Sequence, residues 1–258
     1  MVVAKAFNIQ KRADIGRVKP GPPPPGFDYD LWVGPAPFVP FQKNRYHYTW
    51  HWWHDFGTGD MGNDGVHELD VARWGLGAQT HPKTVSALGG KYVFDDDQQF
   101  PDTQTVLFDY PAEGPSGRRR QLMFEMRIWS PYQPDDGIEN GVIFYGTDGW
   151  MLVSKQKDVV KVYDAKGKLK PIGGSAPTLA RHDQDFLDAV RTGKTPNAEI
   201  EIGHVSASLC HLGNIATRVG RVLNVDPKTE TILGDPEAQK LTGRTYREGH
   251  WAIPKGVA

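Results

Sequence analysis

The chain has 258 residues, enough for one large domain or two small ones. Its 30 basic and 31 acidic residues nearly balance, which argues against nucleic acid or an anionic membrane surface as a partner. The single cysteine, Cys210, excludes an intrachain disulfide and a cysteine-based zinc site.

The N-terminal segment starts with an alternating pattern and then becomes rich in proline. Residues Val2 to Asn8 alternate loosely between apolar and polar, which predicts a strand. A Pro-rich arm follows at 18–40 and contains the run Gly21-Pro-Pro-Pro-Pro-Gly26. Such a run favours extended polyproline geometry and cannot pair inside a sheet. We expect an arm that crosses the surface or reaches a partner subunit.

The next segment, residues 46–55, interleaves histidines with Trp and Tyr. Three of its histidines are spaced by four and three residues, which would align them on one helix face. Three interpretations stay open: a metal site, the lining of a sugar-binding pocket, and a packed aromatic layer. Ligands for a metal ion would come from His47, His51, His54 and His67, or from Asp55. A sugar pocket would be lined by His51, Trp52, His54 and Asp55.

The stretch Gly57–Gly77 is the one around which the chain is organised. Its apolar spacing predicts a helix from about Met61, with Asp60 as its N-cap and glycines at its end. On such a helix Asn63 and His67 share one face. An unperturbed imidazole titrates near neutral pH, so His67 can act as a base there. The alternative is a core histidine that Asp70, three residues on, fixes by a hydrogen bond.

The glycines of Gly57-Thr-Gly-Asp-Met-Gly62 match the spacing of a dinucleotide-binding loop by letter. The context differs, because an aromatic segment precedes them instead of a buried strand, and no βαβ unit surrounds them. We therefore expect no nucleotide cradle in this stretch.

Strands cluster in the middle of the chain, and helices follow. Strands are predicted at Thr84–Tyr92, Thr103–Tyr110, Gln121–Trp129, Gly141–Tyr145, Trp150–Ser154 and Val159–Tyr163, with a solvated turn at 95–97. Helices are predicted from Leu179 to Gly193, from Val205 to Leu223, and from Asp235 to about Leu241. This order predicts an α+β fold, with an open, largely antiparallel β-sheet and helices packed on one face. The other face needs cover, so we expect a homo-oligomer formed through the open sheet.

Several of these motifs resemble the Gfo/Idh/MocA oxidoreductases. The stretch 57–74 is similar to the active-site helix of that family, and the segments 203–216, 218–221, 226–230 and 22–37 are similar to further parts of it. The resemblance covers almost the whole chain. It implies a dihydrodipicolinate-reductase-like C-terminal domain at 1–258 that binds a sugar or polyol, standing alone without the N-terminal Rossmann domain. NAD(P) would then be bound only through a separate Rossmann-domain partner chain.

The resemblance also implies roles for particular residues. His67 stands where the family has a histidine that moves the substrate hydroxyl proton, and Asn63 stands where the family has an aspartate. An amide cannot act as a base, so the acid/base role falls on His67. The candidate catalytic residues are His67, Asn63 and Asp70. The candidate substrate-binding residues are His51, Trp52, His54, Asp55, Asp60, Asp64, His182 and His211.

Three functional hypotheses follow. The first is a sugar-active substrate domain that works with a separate nucleotide-binding chain. The second is a stand-alone, NAD-independent glycoside hydrolase or lyase, metal-assisted or not, with acid/base groups drawn from His51, His54, Asp55, His67, Glu68 and Asp70. The third is a non-catalytic assembly module. The sequence shows no membrane span and no leader, so we expect a cytoplasmic protein, with the periplasm left open.

Overall fold

The first strand of the chain lies in the middle of a ten-stranded sheet. The structure is a computed structural model, and it describes residues 1–112, 117–130, 137–172 and 179–249. The strands are β1 (Val3–Asn8), β2 (Thr84–Gly90), β3 (Thr103–Tyr110), β4 (Arg120–Arg127), β5 (Asn140–Tyr145), β6 (Gly149–Ser154), β7 (Val159–Asp164), β8 (Leu169–Lys170), β9 (Leu223–Asp226) and β10 (Thr231–Leu233). The helices are α1 (Tyr29–Val33), α2 (Gly59–Asn63), α3 (Gly65–Leu76), α4 (Leu179–Thr192), α5 (Ile200–Val219) and α6 (Pro236–Lys240).

The strand order is β10-β9-β2-β3-β4-β1-β5-β6-β7-β8. β1 runs parallel to β4, whereas the other neighbouring pairs are antiparallel. The predicted α+β fold with an open, largely antiparallel sheet is therefore confirmed. The single parallel contact arises because β1 enters the sheet between two strands that come much later in the chain.

The core lies between one sheet face and the helices α3 and α5. Alternate residues of β3 and β4 point into it, and Val106, Phe108, Leu122 and Phe124 are fully buried. This period of two is the pattern expected of a strand with one covered face. The two helices are also tied to each other, because Arg73 Nε donates to Ser206 Oγ at 2.9 Å.

The second face of the sheet is only partly covered. Glu125 forms ion pairs there with Lys5 and Arg127, and the ring of Trp150 stacks on that of Tyr163 at 3.9 Å. Leu88 is 75% exposed. The homo-oligomer expected through this face stays a prediction.

The Pro-rich arm leaves residues 21–26 exposed, but the segment before it is anchored. Backbone N–H groups of Ile15 and Val18 donate to the carboxylates of Asp96 and Asp97 at 2.9 and 2.8 Å. The prediction of a solvated turn at 95–97 holds for Asp95, which is exposed, but is wrong for Asp96, which is buried and holds the entry to the arm.

Two predicted helix boundaries are wrong. The helix expected from Met61 to Gly77 is two helices, α2 and α3, which meet at Asp64, where φ is −113°. Asp60 does not cap the helix, because Thr58 occupies the N-cap position and Asp60 lies one residue inside α2. The predicted C-terminal glycine is confirmed at Gly77, which adopts a left-handed φ of 65°.

The helix expected to run to Leu223 ends earlier. α5 stops at Val219, with Gly220 in the left-handed region at φ 66°, and Leu223 opens β9. Leu223, the apolar residue that made the helical pattern longer, is a fully buried residue of this strand. Strands β8, β9 and β10 are short and were not predicted. Residues 250–258 lie outside the described residues. Across the described part of the chain, no helix combines the length and apolarity needed to cross a bilayer.

Two helical glycines provide a matched test of the core. A Cβ added at Gly75 would collide with the buried ring of Phe144, whereas one added at Gly203 would meet nothing within 4 Å. We expect Gly75→Ala to lower the free energy of unfolding by about 1–3 kcal/mol through overpacking. Gly203→Ala should raise it by about 0.5–1 kcal/mol, because alanine loses less backbone entropy. Urea unfolding followed by circular dichroism measures both, and equal effects would contradict this packing of α3 on β5.

Candidate substrate site

The carboxyl end of β1 is where buried polar groups converge. Asn8 closes the strand, is fully buried, and donates from Nδ2 to Asp60 Oδ2 at 3.1 Å. Asp60 lies on α2 and is 1% exposed. Asn140 opens β5 directly opposite Asn8, so both side chains lie on the helix-covered face of the sheet. This end of the central strand is thus polar although it is buried.

Arg12 supplies the positive charge of the site. Its Nη2 lies 3.2 Å from Asp60 Oδ1 and also forms an ion pair with Asp64, while Nη1 donates to the Tyr48 hydroxyl at 2.7 Å. Burial raises the pKa of Asp60 above its usual value, and the Arg12 guanidinium opposes this rise. The cluster therefore joins a loop, the 3-10 helix His47–Trp52 and the ends of α2 and α3 through ion pairs and a hydrogen bond.

Several atoms in and beside this cluster are left without partners. Hydrogen-bond partners among the described residues are lacking for Asn8 Oδ1, Arg12 Nε, His51 Nε2, Glu68 Oε2 and Asn140 Oδ1. A buried polar atom left unpaired costs about 1–3 kcal/mol, so such atoms are ready to bond a polar ligand. They include donors and acceptors, which suits a ligand whose hydroxyl groups can do both.

Glu68 is the group best suited to proton transfer. It lies on α3, is 4% exposed, and has one carboxylate oxygen unpaired. Burial raises the pKa of Glu68 to about 7, against the opposing charge of Lys155. A carboxyl group poised near neutral pH can both give and take a proton. Sequence analysis placed Glu68 only in the acid/base pool for hydrolysis, because nothing in the local pattern shows its burial.

The three predicted catalytic residues lie in different surroundings. Asn63 belongs to α2 and lies with Nδ2 3.4 Å from Asp60 Oδ1 and 3.3 Å from Asp64 Oδ2. His67 belongs to α3 and is exposed. Partial desolvation, and then the nearby charge of Lys155, lower the pKa of His67. The break at Asp64 separates Asn63 and His67 into two helices, so the expected single helix face is wrong.

Asp70, the third predicted catalytic residue, faces the helix–helix contact. Its Oδ1 accepts a hydrogen bond from Ser206 Oγ at 2.5 Å and lies 3.5 Å from Arg73 Nη2. These contacts tie α3 to α5. The structure does not place Asp70 in the Asp60–Arg12 cluster, and its catalytic role stays a prediction.

The predicted alignment of the aromatic-segment histidines is wrong. Residues His47–Trp52 form a 3-10 helix, in which residues four apart do not share a face, and His54 lies beyond it. His47 is exposed and its ring lies against that of Tyr46, with centroids 3.7 Å apart and the ring planes tilted by 42°. Across the described residues, none of the four candidate metal histidines belongs to a trio of ligand atoms close enough to share one ion.

Of this segment, His51 is the residue that the structure brings to the cluster. It is 3% exposed, and burial lowers its pKa, so the ring is neutral at neutral pH. Trp52 is buried beside it, with ring centroids 4.2 Å apart. His54 instead packs on Phe100, and Asp55 is exposed, with its backbone carbonyl 3.4 Å from Arg244 Nη2.

The two histidines predicted from the C-terminal helices lie elsewhere. His182 is exposed on α4 and lines a surface cleft of about 480 Å³ together with Phe186 and Pro196. His211 is exposed on α5. That helix meets α2 through other residues, since Cys210 Sγ donates to the Met61 carbonyl at 3.4 Å. Their roles in substrate binding stay predictions.

Asn8, Arg12, Asn140 and Lys155 were missed by the sequence analysis. Asn8 carried a weak signal, a polar residue closing an apolar strand. Arg12 carried none, because its partners lie 36 and 52 residues further along the chain.

The open, largely antiparallel sheet with helices packed on one face defines the class of this protein as an α+β domain, and a buried polar cluster lies at the end of its central strand. The sequence profile described as "Oxidoreductase family, C-terminal alpha/beta domain", that of the Gfo/Idh/MocA group, matches residues 9–106 and 149–253. Because the match covers most of the 258 residues of this chain, the chain belongs to the Gfo/Idh/MocA oxidoreductase family. No curated protein matches the chain.

Solved structures share the fold at low sequence identity. A putative NADPH-dependent oxidoreductase from Desulfitobacterium hafniense superposes with a TM-score of 0.57 at 12% identity, over 86% of this chain and 56% of that one. The WlbA dehydrogenase from Bordetella pertussis, in complex with NADH and UDP-GlcNAcA, superposes with a TM-score of 0.53 at 13% sequence identity, over 87% of this chain and 54% of that one. The putative oxidoreductase YvaA from Bacillus subtilis superposes with a TM-score of 0.50 at 12% sequence identity, over 87% of this chain and 58% of that one. The chain thus spans about half the length of the structures it matches.

The pKa of Glu68 predicts a pH-dependent stability. Because the pKa is about 7 in the folded protein and 4.5 ordinarily, ionisation is harder when folded, and stability falls as pH rises through that interval. Glu68→Gln removes this cost, so we expect it to raise the free energy of unfolding at about pH 8 by on the order of 3 kcal/mol. Near pH 4, where Glu68 is protonated in both states, the variant should match the wild type.

Urea unfolding at both pH values measures the effect. Glu248→Gln is the control, because it removes the same charge at an exposed position. A Glu68→Gln variant that is equally or less stable at high pH would show that the carboxylate is well solvated or paired.

Proposed function

We propose that this chain binds a sugar or polyol at the carboxyl end of β1, as the substrate domain of an oxidoreductase. The observation that carries the proposal is the set of buried, unpartnered donors and acceptors around the Asp60–Arg12 ion pair. A sugar offers several hydroxyl groups within a few ångströms, each of which can donate and accept. Membership of the oxidoreductase family supports this, as does the nucleotide sugar bound in the WlbA complex.

The charged groups would orient the ligand. Carboxylate oxygens of Asp60 and Asp64 can accept from hydroxyl groups, and Arg12 Nε can donate to a ring or hydroxyl oxygen. Hydrogen bonds to charged groups are the stronger kind in a site shielded from water. The aromatic rings of Tyr48 and Trp52 flank His51 and offer an apolar wall for the C–H face of a sugar ring.

Two groups on α3 would move the hydroxyl proton. Glu68, with a pKa of about 7, would act from the buried side, and neutral His67 from the exposed side beside Lys155. We assign the acid/base role to His67 with Glu68, and give Asn63 the task of holding the Asp60 and Asp64 carboxylates in place.

A nicotinamide cofactor does not fit the described residues. The glycines of 57–62 follow a 3-10 segment and run into the five-residue helix α2, instead of linking a strand to a long helix. We therefore derive no hydride step from this chain. NAD(P) would be held by a Rossmann domain outside these 258 residues, on a partner chain or a longer polypeptide.

A second candidate function is NAD-independent hydrolysis or elimination of a glycoside. One observation favours it: the carboxyl group of Glu68, with a pKa near neutral, lies close enough to Asp60 and Asp64 to interact with their charges. Glycoside cleavage uses two carboxyl groups in different roles, and a carboxyl group that stays protonated near neutral pH is suited to the acid role.

Calorimetric titration with a panel of monosaccharides, polyols and nucleotide sugars tests binding. We expect saturable binding to the wild type, weakened about 10- to 100-fold in Asp60→Asn, because a charge-assisted hydrogen bond is lost. Asp188→Asn, which removes the same charge at an exposed position on α4, is the matched control and should bind like the wild type. Absence of binding throughout, or equal binding by Asp60→Asn, would overturn the proposed site and favour an assembly role.

The same panel, followed for products with and without NAD+, separates the two functions. Product formed without NAD+ and lost in Glu68→Gln would establish the hydrolytic or eliminating enzyme. Binding without product supports a substrate domain that needs a nucleotide-binding partner.

A further inference from the structure

Three distant segments meet at the edge of the sheet that carries β2, β9 and β10. They contribute His81 from the loop between α3 and β2, His204 from α5, and Glu230 from the turn between β9 and β10. Their ligand atoms all lie within 4.8 Å of one another. β2 is three positions from β1 in the sheet order, so this trio is separate from the substrate site.

The distances within the trio are short. His204 Nε2 lies 2.8 and 2.9 Å from the two carboxylate oxygens of Glu230, and His81 Nε2 lies 3.7 Å from Glu230 Oε1. The two imidazole ring centroids are 5.7 Å apart. One carboxylate therefore faces two imidazoles that come from different parts of the fold.

The hydrogen bonds between His204 and Glu230 do not account for His81. His81 is 4% exposed, and its Nε2 is buried with no hydrogen-bond partner in the described part of the chain. A buried ring nitrogen is normally satisfied by protein or by a bound group. Here it points toward the Glu230 carboxylate and stops short of a hydrogen bond.

We propose that His81 Nε2, His204 Nε2 and a carboxylate oxygen of Glu230 bind a divalent transition-metal ion of the zinc class. Tetrahedral zinc with ligands at about 2.0–2.2 Å places its ligand atoms about 3.3–3.6 Å apart. The distances of 2.8, 2.9 and 3.7 Å bracket that range, so small side-chain rotations suffice. Two imidazoles and one carboxylate are a donor set that zinc commonly takes.

The surroundings leave one coordination position free. The side chains of His204 and Glu230 are 45% and 43% exposed, so a water molecule can complete the tetrahedron from the solvent side. Glu201 lies near enough to add negative charge, whereas Arg73 adds positive charge. The Arg73 guanidinium is occupied by Ser206 Oγ and the Ala78 carbonyl, at 2.9 and 2.8 Å.

An ion at this position would act as a clamp. It would join the β9–β10 turn to α5 and to the loop that enters β2, three parts that lie far apart in the sequence. Because it binds only the folded arrangement, it would stabilise the domain by mass action.

The test uses the purified chain, stripped with a chelator and dialysed, and then titrated with Zn²⁺ in a calorimeter. We expect one ion per chain and a rise in the thermal unfolding midpoint. Co²⁺ should give the visible absorption of a tetrahedral nitrogen- and oxygen-ligated ion. His204→Gln should weaken Zn²⁺ binding at least about 100-fold, because it removes a direct ligand.

His211→Gln is the matched control, because His211 is also exposed on α5 but lies outside the trio. It should bind Zn²⁺ within about twofold of the wild type and show the same thermal shift. Absence of stoichiometric binding by the wild type would overturn the site. So would equal binding by wild type and His204→Gln, which would place the ion on other histidines.

Discussion

The buried ion pair between Arg12 and Asp60 is the interaction on which the site depends. Asp60 is almost completely buried, and a carboxylate removed from water needs a partner of opposite charge and further hydrogen bonds. Asn8 supplies a hydrogen bond from the end of β1, and Arg12 supplies the positive charge from the loop that follows. The same guanidinium reaches Asp64, so it also fixes the junction where α2 gives way to α3. One cation thereby sets both the polarity of the site and the direction of the helix that carries Glu68 and His67.

The two faces of α3 serve different purposes. Asp70 and Arg73 hold the helix to α5 through Ser206, with contacts that are satisfied within the protein. Glu68, on another side of the helix, keeps an unpaired oxygen at a cost to stability. A fold normally removes such costs, and those that remain concentrate where a ligand or a reaction needs them. Asp70 and Arg73 are therefore structural polar groups, whereas Glu68 is free to bond a ligand.

The local sequence pattern predicted those strands and helices in which buried and exposed residues alternate regularly. The strand Thr103–Tyr110 has the predicted bounds because its alternation directly reflects one buried face. The helix through His67 was predicted as one piece, because no helical pattern shows the break at Asp64, where φ is −113° and the side chain pairs with the distant Arg12. The spacing of His47, His51 and His54 suggested a helix face, but the backbone there is a 3-10 helix.

Sites formed by residues far apart in the chain could not be predicted from the sequence, for a related reason. Glu68 looks like an ordinary surface glutamate until the sheet buries it. His81, His204 and Glu230 come together only because β9 pairs with β2 and brings the turn after it beside α5. Their spacing along the chain therefore carries no information about their proximity.

The central place of β1 has a consequence for how the chain is made. β1 leaves the ribosome before the other strands, yet its two neighbours begin only at Arg120 and Asn140. β2, β3 and β4 can pair in the order of their synthesis, but they cannot join β5 and β6 until β1 inserts between them. Such long-range pairing slows folding and leaves strand edges open in the meantime. Val3–Asn8 therefore has neither of its native partner strands until the chain has been synthesised beyond Arg120.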